Sequence, residues 1–302
     1  MDTGTDTKRS GALPAADVAR VFDNARIPHV LFGWWAVACH GKYHAFPEID
    51  FVLPDDKIEA AANALAATGH FHRCTDLDCV EWTADRRPRD YFQAPRHQPL
   101  PITMLGAQMA MNNWHAIARE HLHIGPGYDF FKVISLYAKS HLLWSFPEIT
   151  LDPIASDDRT YMFTDDVRLP PPRREGEDGS TGPWDGLYPV KIPTYAALIE
   201  ALLLLYCRDL GSLEHTDQAW ASMTNEALGK ILIPGTLNLN ERISELRRNI
   251  DPRWVPILDS SHFNTGPLTK GLLAPIHNYR AVLLASNELP DIPPHDLDGY
   301  HM

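Results

Sequence analysis

The stretch from Leu31 to Asp56 constrains this chain more than any other. Leu31-Phe32-Gly33-Trp34-Trp35 reads as the end of an apolar strand, a glycine turn and the start of a short helix. Glu48-Ile49-Asp50 then opens a second strand, and Phe51 to Leu53 is the apolar run that buries it. Side chains alternate along a strand, so Glu48 and Asp50 point to the same face. A glycine turn facing an acid-x-acid strand suits a triphosphate and a divalent ion. Glycine lets phosphate approach the backbone, and the carboxylates offer hard oxygen ligands to Mg²⁺.

Bulk properties narrow the class. The chain has 302 residues and 44% hydrophobic content, enough for one large domain or two small ones. A net charge of −12 disfavours a broad nucleic-acid-binding surface and leaves room only for a local basic patch. Four cysteines (Cys39, Cys74, Cys79 and Cys207) imply no disulfide framework, and a reducing cytoplasm is the expected compartment. Residues 1–14 are polar and small, without the apolar core of a signal peptide, and read as a disordered lead-in. The longest apolar run, Ala196 to Cys207, contains Glu200 and is too short to span a bilayer, so no membrane association is expected.

Periodicity places helices at Ala15 to Ala25, Trp34 to His40 and Asp55 to about Ala67, and strands at His29 to Phe32, Ile49 to Leu53 and Gly69 to Arg73. His121 to Ile124 and Phe130 to Tyr137 read as paired strands around Gly125-Pro126-Gly127. Ser140 to Trp144 begins a short helix. Residues 169–189, rich in Pro, Gly and charge, read as a linker. After it Thr194 caps a helix through Arg208, with further helices at Asp217 to Ile231, Asn240 to Ile250 and Leu268 to Ser286. The expected fold class is α/β (α+β): a mixed sheet with flanking helices over 15–168, then a helical domain over 190–302.

The order helix, strand, glycine turn, helix, acid-x-acid strand resembles the nucleotidyltransferase-like (polymerase-β-like) fold, and a large group of fungal proteins built on it. The resemblance runs through Asp50-Phe51-Val52-Leu53-Pro54-Asp55, Cys74-Thr75-Asp76-Leu77-Asp78-Cys79 and His121-Leu122-His123. It continues with Ser135-Leu136-Tyr137-Ala138-Lys139-Ser140, Leu142-Leu143-Trp144, Tyr188-Pro189-Val190 and Ile192-Pro193-Thr194, ending at Cys207-Arg208-Asp209. It implies Mg²⁺-dependent nucleotidyl transfer, with Gly33 at the phosphate and Glu48 and Asp50 on the metal. Two features depart from that pattern. Trp34 and Trp35 follow the glycine where a small residue is usual, which would crowd a triphosphate. The pattern also needs a third carboxylate on a later strand, but His121 to Ile124 offers histidines, and Glu120 points to the other face.

Asp55-Asp56-Lys57-Ile58-Glu59 reads D-D-x-x-E, a motif that resembles fungal arginine-containing cyclodipeptide synthases of secondary metabolism. That resemblance implies an aminoacyl transferase without an added cofactor. Charged tRNA would be its partner and a small amino-acid-derived cyclic product its output, with Asp55, Asp56 and Glu59 gripping the amine or guanidinium. This is the leading expectation for function. A ligand-binding, non-catalytic descendant of the fold is a third. The same acids also suit a helix start: Asp55 follows Pro54 as an N-cap, and Asp56 with Glu59 has capping-box spacing.

Other candidates are fewer. Trp34 and Trp35 either wall a substrate pocket or fill core. Glu200, in an apolar helix, needs a partner such as Arg208 or a cationic substrate group. Arg87 and Arg89, with Arg86, Arg96, His97, Tyr91 and Phe92, form the most basic local patch and the first place for a tRNA contact. Cys74, Cys79, His121 and His123, with His70 and His72 nearby in the sequence, offer soft and borderline donors for zinc, or else packed thiols and hydrogen-bonded imidazoles. No Gly-x-Ser-x-Gly elbow or phosphate loop with its Lys occurs.

Overall fold

The computed structural model describes residues 12–41, 48–75, 79, 118–125, 133–170, 183–210, 216–229, 239–260 and 269–290. Helix α1 (Leu13–Asn24) carries proline in its first turn, where a missing N–H costs nothing. It buries Ala15, Val18, Ala19 and Phe22 along one side. The chain then passes through β1 (Val30–Phe32), α2 (Gly33–Cys39), β2 (Glu48–Leu53) and a 3₁₀ turn at Asp55–Lys57 into α3 (Ile58–Ala66). Three further strands follow, β3 (Phe71–Arg73), β4 (Glu120–Ile124) and β5 (Val133–Ala138).

These five strands form one mixed sheet in the order β1-β2-β5-β4-β3. The pairing of β4 with β5 is antiparallel, as the sequence predicts. The later strand β5 lies parallel to β2 and separates it from β4. Register then sorts the side chains. Ile49, Phe51, Ile134, Leu136 and Leu122 face one way and are fully buried beneath α1 and α3. The Phe22 ring of α1 meets Phe51 edge-on at 5.4 Å. The opposite face carries Asp50, Ser135, His121 and His123.

The second half contains a short helix α4 (Lys139–Leu142), a two-stranded ribbon of β6 (Tyr161–Phe163) and β7 (Lys191–Pro193), and helices α5 (Tyr195–Asp209), α6 (Thr216–Gly229), α7 (Leu239–Asn249), α8 (Val255–Ser260) and α9 (Thr269–Ala285). Thr194 caps α5 through its hydroxyl, which accepts from Ala197 N–H at 3.4 Å. Among the described residues no helix is long and apolar enough to cross a membrane.

The linker reading of 169–189 changes. Its core, 171–182, lies outside the described residues, as do 1–11 of the lead-in. Both flanks are buried: Leu169 and Trp184 belong to the apolar core, and Trp184 N–H donates to the Thr164 carbonyl at 2.8 Å. β6 before the segment pairs with β7 after it, and the Trp184 ring meets Trp35 of α2 at 6.4 Å. The segment therefore connects two strands of one ribbon, and one apolar core runs through both halves. Composition marks a chain as solvated but is blind to anchors at its ends.

One buried ion pair joins α4, α5 and α6. Arg208 and Asp209 are each 2% exposed and bond at 2.5 and 2.9 Å. Trp220 Nε1 donates to Asp209 at 2.7 Å, the Arg208 guanidinium lies 5.2 Å from the Trp144 ring, and it also donates to the His141 carbonyl. Removing one partner strands a charge in the core. Asp209→Ala should therefore lower unfolding free energy by about 3–5 kcal/mol, read from the urea midpoint at pH 7. A loss below about 1 kcal/mol would show that the pair is not buried as described.

Candidate functional site

Strand register builds a row of polar side chains across one sheet face. Phe32 of β1 lies opposite Asp50 of β2, Asp50 opposite Ser135 of β5, and Ser135 opposite His121 of β4. A parallel row runs Glu48, Val133, His123, His72. Asp50, Ser135 and His121 are all buried, and the Ser135 hydroxyl meets no hydrogen-bond partner among the described residues. Such a group in an apolar interior is costly unless something satisfies it.

Gly33 sits directly on this row. Its φ is +64°, in the left-handed region that other residues enter at a cost. A Cβ there would stand 2.5 Å from Asp50 Oδ2, so both the backbone angle and the space require glycine. Trp34 and Trp35 belong to the apolar core, at 3% and 1% exposure. The third carboxylate is absent among the described residues on this face: β5 offers Val133 and Ser135, β4 offers His121 and His123, and Glu120 faces the α3 side.

The D-D-x-x-E acids do not converge. Asp55 accepts from Ser140 N–H at 3.0 Å and from its hydroxyl, so it caps α4 across the chain rather than its own helix. Asp56 is 71% exposed beside Lys57. Glu59 takes both arms of Arg73 at 2.7 and 3.0 Å, and Arg73 also holds Glu120 at 2.7 Å. The Arg73 guanidinium holds the Glu59 carboxyl below the usual range. This clamp ties α3 to β3 and β4 on the face opposite Asp50. Sequence spacing brought the three acids together, while the turn from 3₁₀ to α sends them to three different partners.

Glu200 also has a different partner from the expected Arg208. Its carboxylate accepts the backbone N–H of Asp251, and Arg208 is taken by Asp209. Burial raises the Glu200 pKa above its ordinary 4.5, opposed by that hydrogen bond. It borders a cavity of about 460 Å³ with Trp144, Phe146, Arg253 and Glu288. A second cavity, about 290 Å³, is lined by His40, Arg159, Arg168, Tyr195 and Glu245. Neither reaches Asp50. Arg87, Arg89 and the rest of the basic patch lie outside the described residues.

The cysteine–histidine group named from the sequence does come together. Cys74, Cys79, His121 and His123 place one ligand atom each within 4.8 Å of one another. Cys79 Sγ lies 3.5 Å from His121 Nε2 and 3.6 Å from His123 Nε2. The His-x-His spacing signals two imidazoles on one face, as observed. The β3–β4 pairing brings Cys74 beside His121, which spacing alone does not reveal.

With this geometry in view, comparison with known proteins adds little. No protein-family model matches the chain, and no curated protein matches it. It is similar to the solution structure of the antibiotic-resistance factor ANT(2'')-Ia, at 14% identity over 87% of this chain and 99% of that one, with a TM-score of 0.33. It is also similar to the crystal structure of ANT(2'')-Ia in complex with adenylyl-2''-tobramycin, at 14% identity over 80% and 97% of the two chains, with a TM-score of 0.34. Likeness at this level carries no argument about chemistry.

Two outcomes follow for these residues. Gly33→Ala should destabilise the protein by at least about 1–2 kcal/mol from the backbone angle alone, with displacement of Asp50 added. A denaturant midpoint unchanged from wild type would contradict the contact. For Glu200 the sign is set by a raised pKa on an acid: above 4.5 the folded state holds the proton more tightly than the unfolded chain. Its contribution to stability therefore falls as pH rises from 4.5 through the folded pKa. Glu200→Gln keeps an acceptor for Asp251 and should gain stability relative to wild type across that window, checked by paired urea titrations. A pH-independent difference would refute the assignment.

Proposed function

We propose that this chain is a transferase on a nucleotidyltransferase-like scaffold, and that its reaction is metal-dependent nucleotidyl transfer at the Gly33–Asp50 row. The observation that carries the reading is Gly33, held at positive φ with its α-carbon against the Asp50 carboxylate, and Glu48 on the same face. Trp34 and Trp35 are buried in the core, with the Trp35 ring against Trp184.

The donor set fits one hard cation. Glu48 and Asp50 supply carboxylate oxygens, and Ser135 supplies a buried hydroxyl oxygen without a partner among the described residues. Bound there, Mg²⁺ would neutralise charge on the triphosphate. The Gly33 turn leaves phosphate free to approach the backbone, and Asp50, buried on a central strand, is held rigidly for its role. The acceptor's nucleophilic atom attacks the α-phosphorus, the bond to pyrophosphate breaks, and the acceptor's proton passes to solvent. Among the described residues this face carries two carboxylates, Glu48 and Asp50, which suits a single metal.

Nothing in the geometry favours the cyclodipeptide reading, because its three acids are engaged separately by Ser140, Lys57 and Arg73. The test is titration of the purified full-length chain with ATP, GTP, CTP and UTP, each with Mg²⁺ and with EDTA. Mg²⁺-dependent binding of at least one is expected, weakened by more than about tenfold in Asp50→Asn. Binding of none would overturn the reading. Arginine-containing diketopiperazines in the medium of an expressing cell, lost in Asp56→Ala, would replace it with aminoacyl transfer.

A further inference from the structure

We infer that Cys74, Cys79, His121 and His123 form a structural zinc site. A tetrahedral Zn²⁺ with Zn–S near 2.3 Å and Zn–N near 2.05 Å places sulfur and nitrogen ligands about 3.6 Å apart. Cys79 Sγ stands 3.5 and 3.6 Å from the Nε2 atoms of His121 and His123. Cys74 completes the group, with all four ligand atoms within 4.8 Å.

Simple hydrogen bonding accounts for this less well. A neutral thiol has one proton to donate, and it is a weak donor. Here one thiol meets two imidazole nitrogens at once, with a second thiol beside them. A divalent cation satisfies all four, and two thiolates with Zn²⁺ leave no net charge in a half-buried place. Loading the site releases the two thiol protons to solvent.

The arrangement is closed, with four protein ligands, as in structural rather than catalytic sites. The backbone supports it. Cys74 N–H donates to the His121 carbonyl at 3.3 Å, and the two rings stand at 88° to one another with centroids 5.3 Å apart. Both histidines lie on the face that carries Asp50, and His121 is separated from it by Ser135 alone in the register. The site holds Cys74 and Cys79 to β4, at one end of the polar row. The other two cysteines are elsewhere. Burial pushes the Cys207 thiol up to about 12 and the Cys39 thiol higher still, and neither belongs to the cluster.

The experiment is metal analysis of the full chain, expressed and purified without chelator. About one zinc per chain is expected. Growth on cobalt should give the intense visible bands of tetrahedral, thiolate-bound Co²⁺. Cys79→Ser and His123→Ala should lose the metal, while Cys207→Ala keeps it. Should the variants fail to fold, the wild type still decides. With zinc bound, Cys74 and Cys79 should resist a thiol reagent until a strong chelator is added. Substoichiometric metal with no cobalt bands, or a Cys74–Cys79 disulfide in the isolated protein, would overturn the assignment.

Discussion

The contact between Gly33 and Asp50 is the constraint on which the rest of the polar face depends. β1 ends at Phe32, directly opposite Asp50, and the chain turns there although β2 extends two residues further, to Glu48. Only a left-handed residue lets it turn there, and only one without a Cβ clears the carboxylate. That turn launches α2 with Trp34 and Trp35 pointing inward. Trp35 then meets Trp184, which anchors one end of the segment between β6 and β7. A single backbone angle thus joins the sheet to the second half of the chain.

Most of the helices and strands were legible because their signals are local, while the short β6, β7 and α8 were not predicted. The alternation in Glu48-Ile49-Asp50 gave the face of both acids, and the Thr194 cap sits where its sequence placed it. What is not local was not legible. The position of β5 between β2 and β4 depends on a parallel pairing that no hairpin turn announces. It is this insertion that puts Ser135 beside Asp50. In the same way D-D-x-x-E looks like one cluster in the sequence. In the fold its acids answer to Ser140, Lys57 and Arg73, which come from β3, α4 and the turn itself.

The acids outside the row show how the fold uses charge. Arg73 is shared between Glu59 and Glu120, Arg208 is matched by Asp209, and Arg253 is held by Asp251 and Glu288. Arg73 fixes α3 on the sheet, Asp209 also accepts from Trp220 of α6, and Arg253 joins the turn before α8 to Glu288 beyond α9. A net charge of −12 is therefore distributed over structural contacts as well as solvent. It does not by itself mark where a substrate binds, and counting acids near a motif overstates its chemistry.

The row from Asp50 to His121 changes character along its length. At the β2 end the donors are carboxylate oxygens, at β5 a hydroxyl, and at β4 imidazole nitrogens with thiols beside them. Hard donors select Mg²⁺ or Ca²⁺, while thiolate with imidazole selects zinc. Two strand spacings, roughly 10 Å, separate Asp50 from His121 across the sheet. The His121 and His123 Nε2 atoms stand 3.5 and 3.6 Å from Cys79 Sγ, in the thiol group rather than with the carboxylates. A proposed zinc at β4 therefore supplies no third carboxylate for the β2 site; it would fix the edge of the face on which that site is built. The histidines that looked like a departure from a two-metal pattern belong, on this geometry, to a separate task.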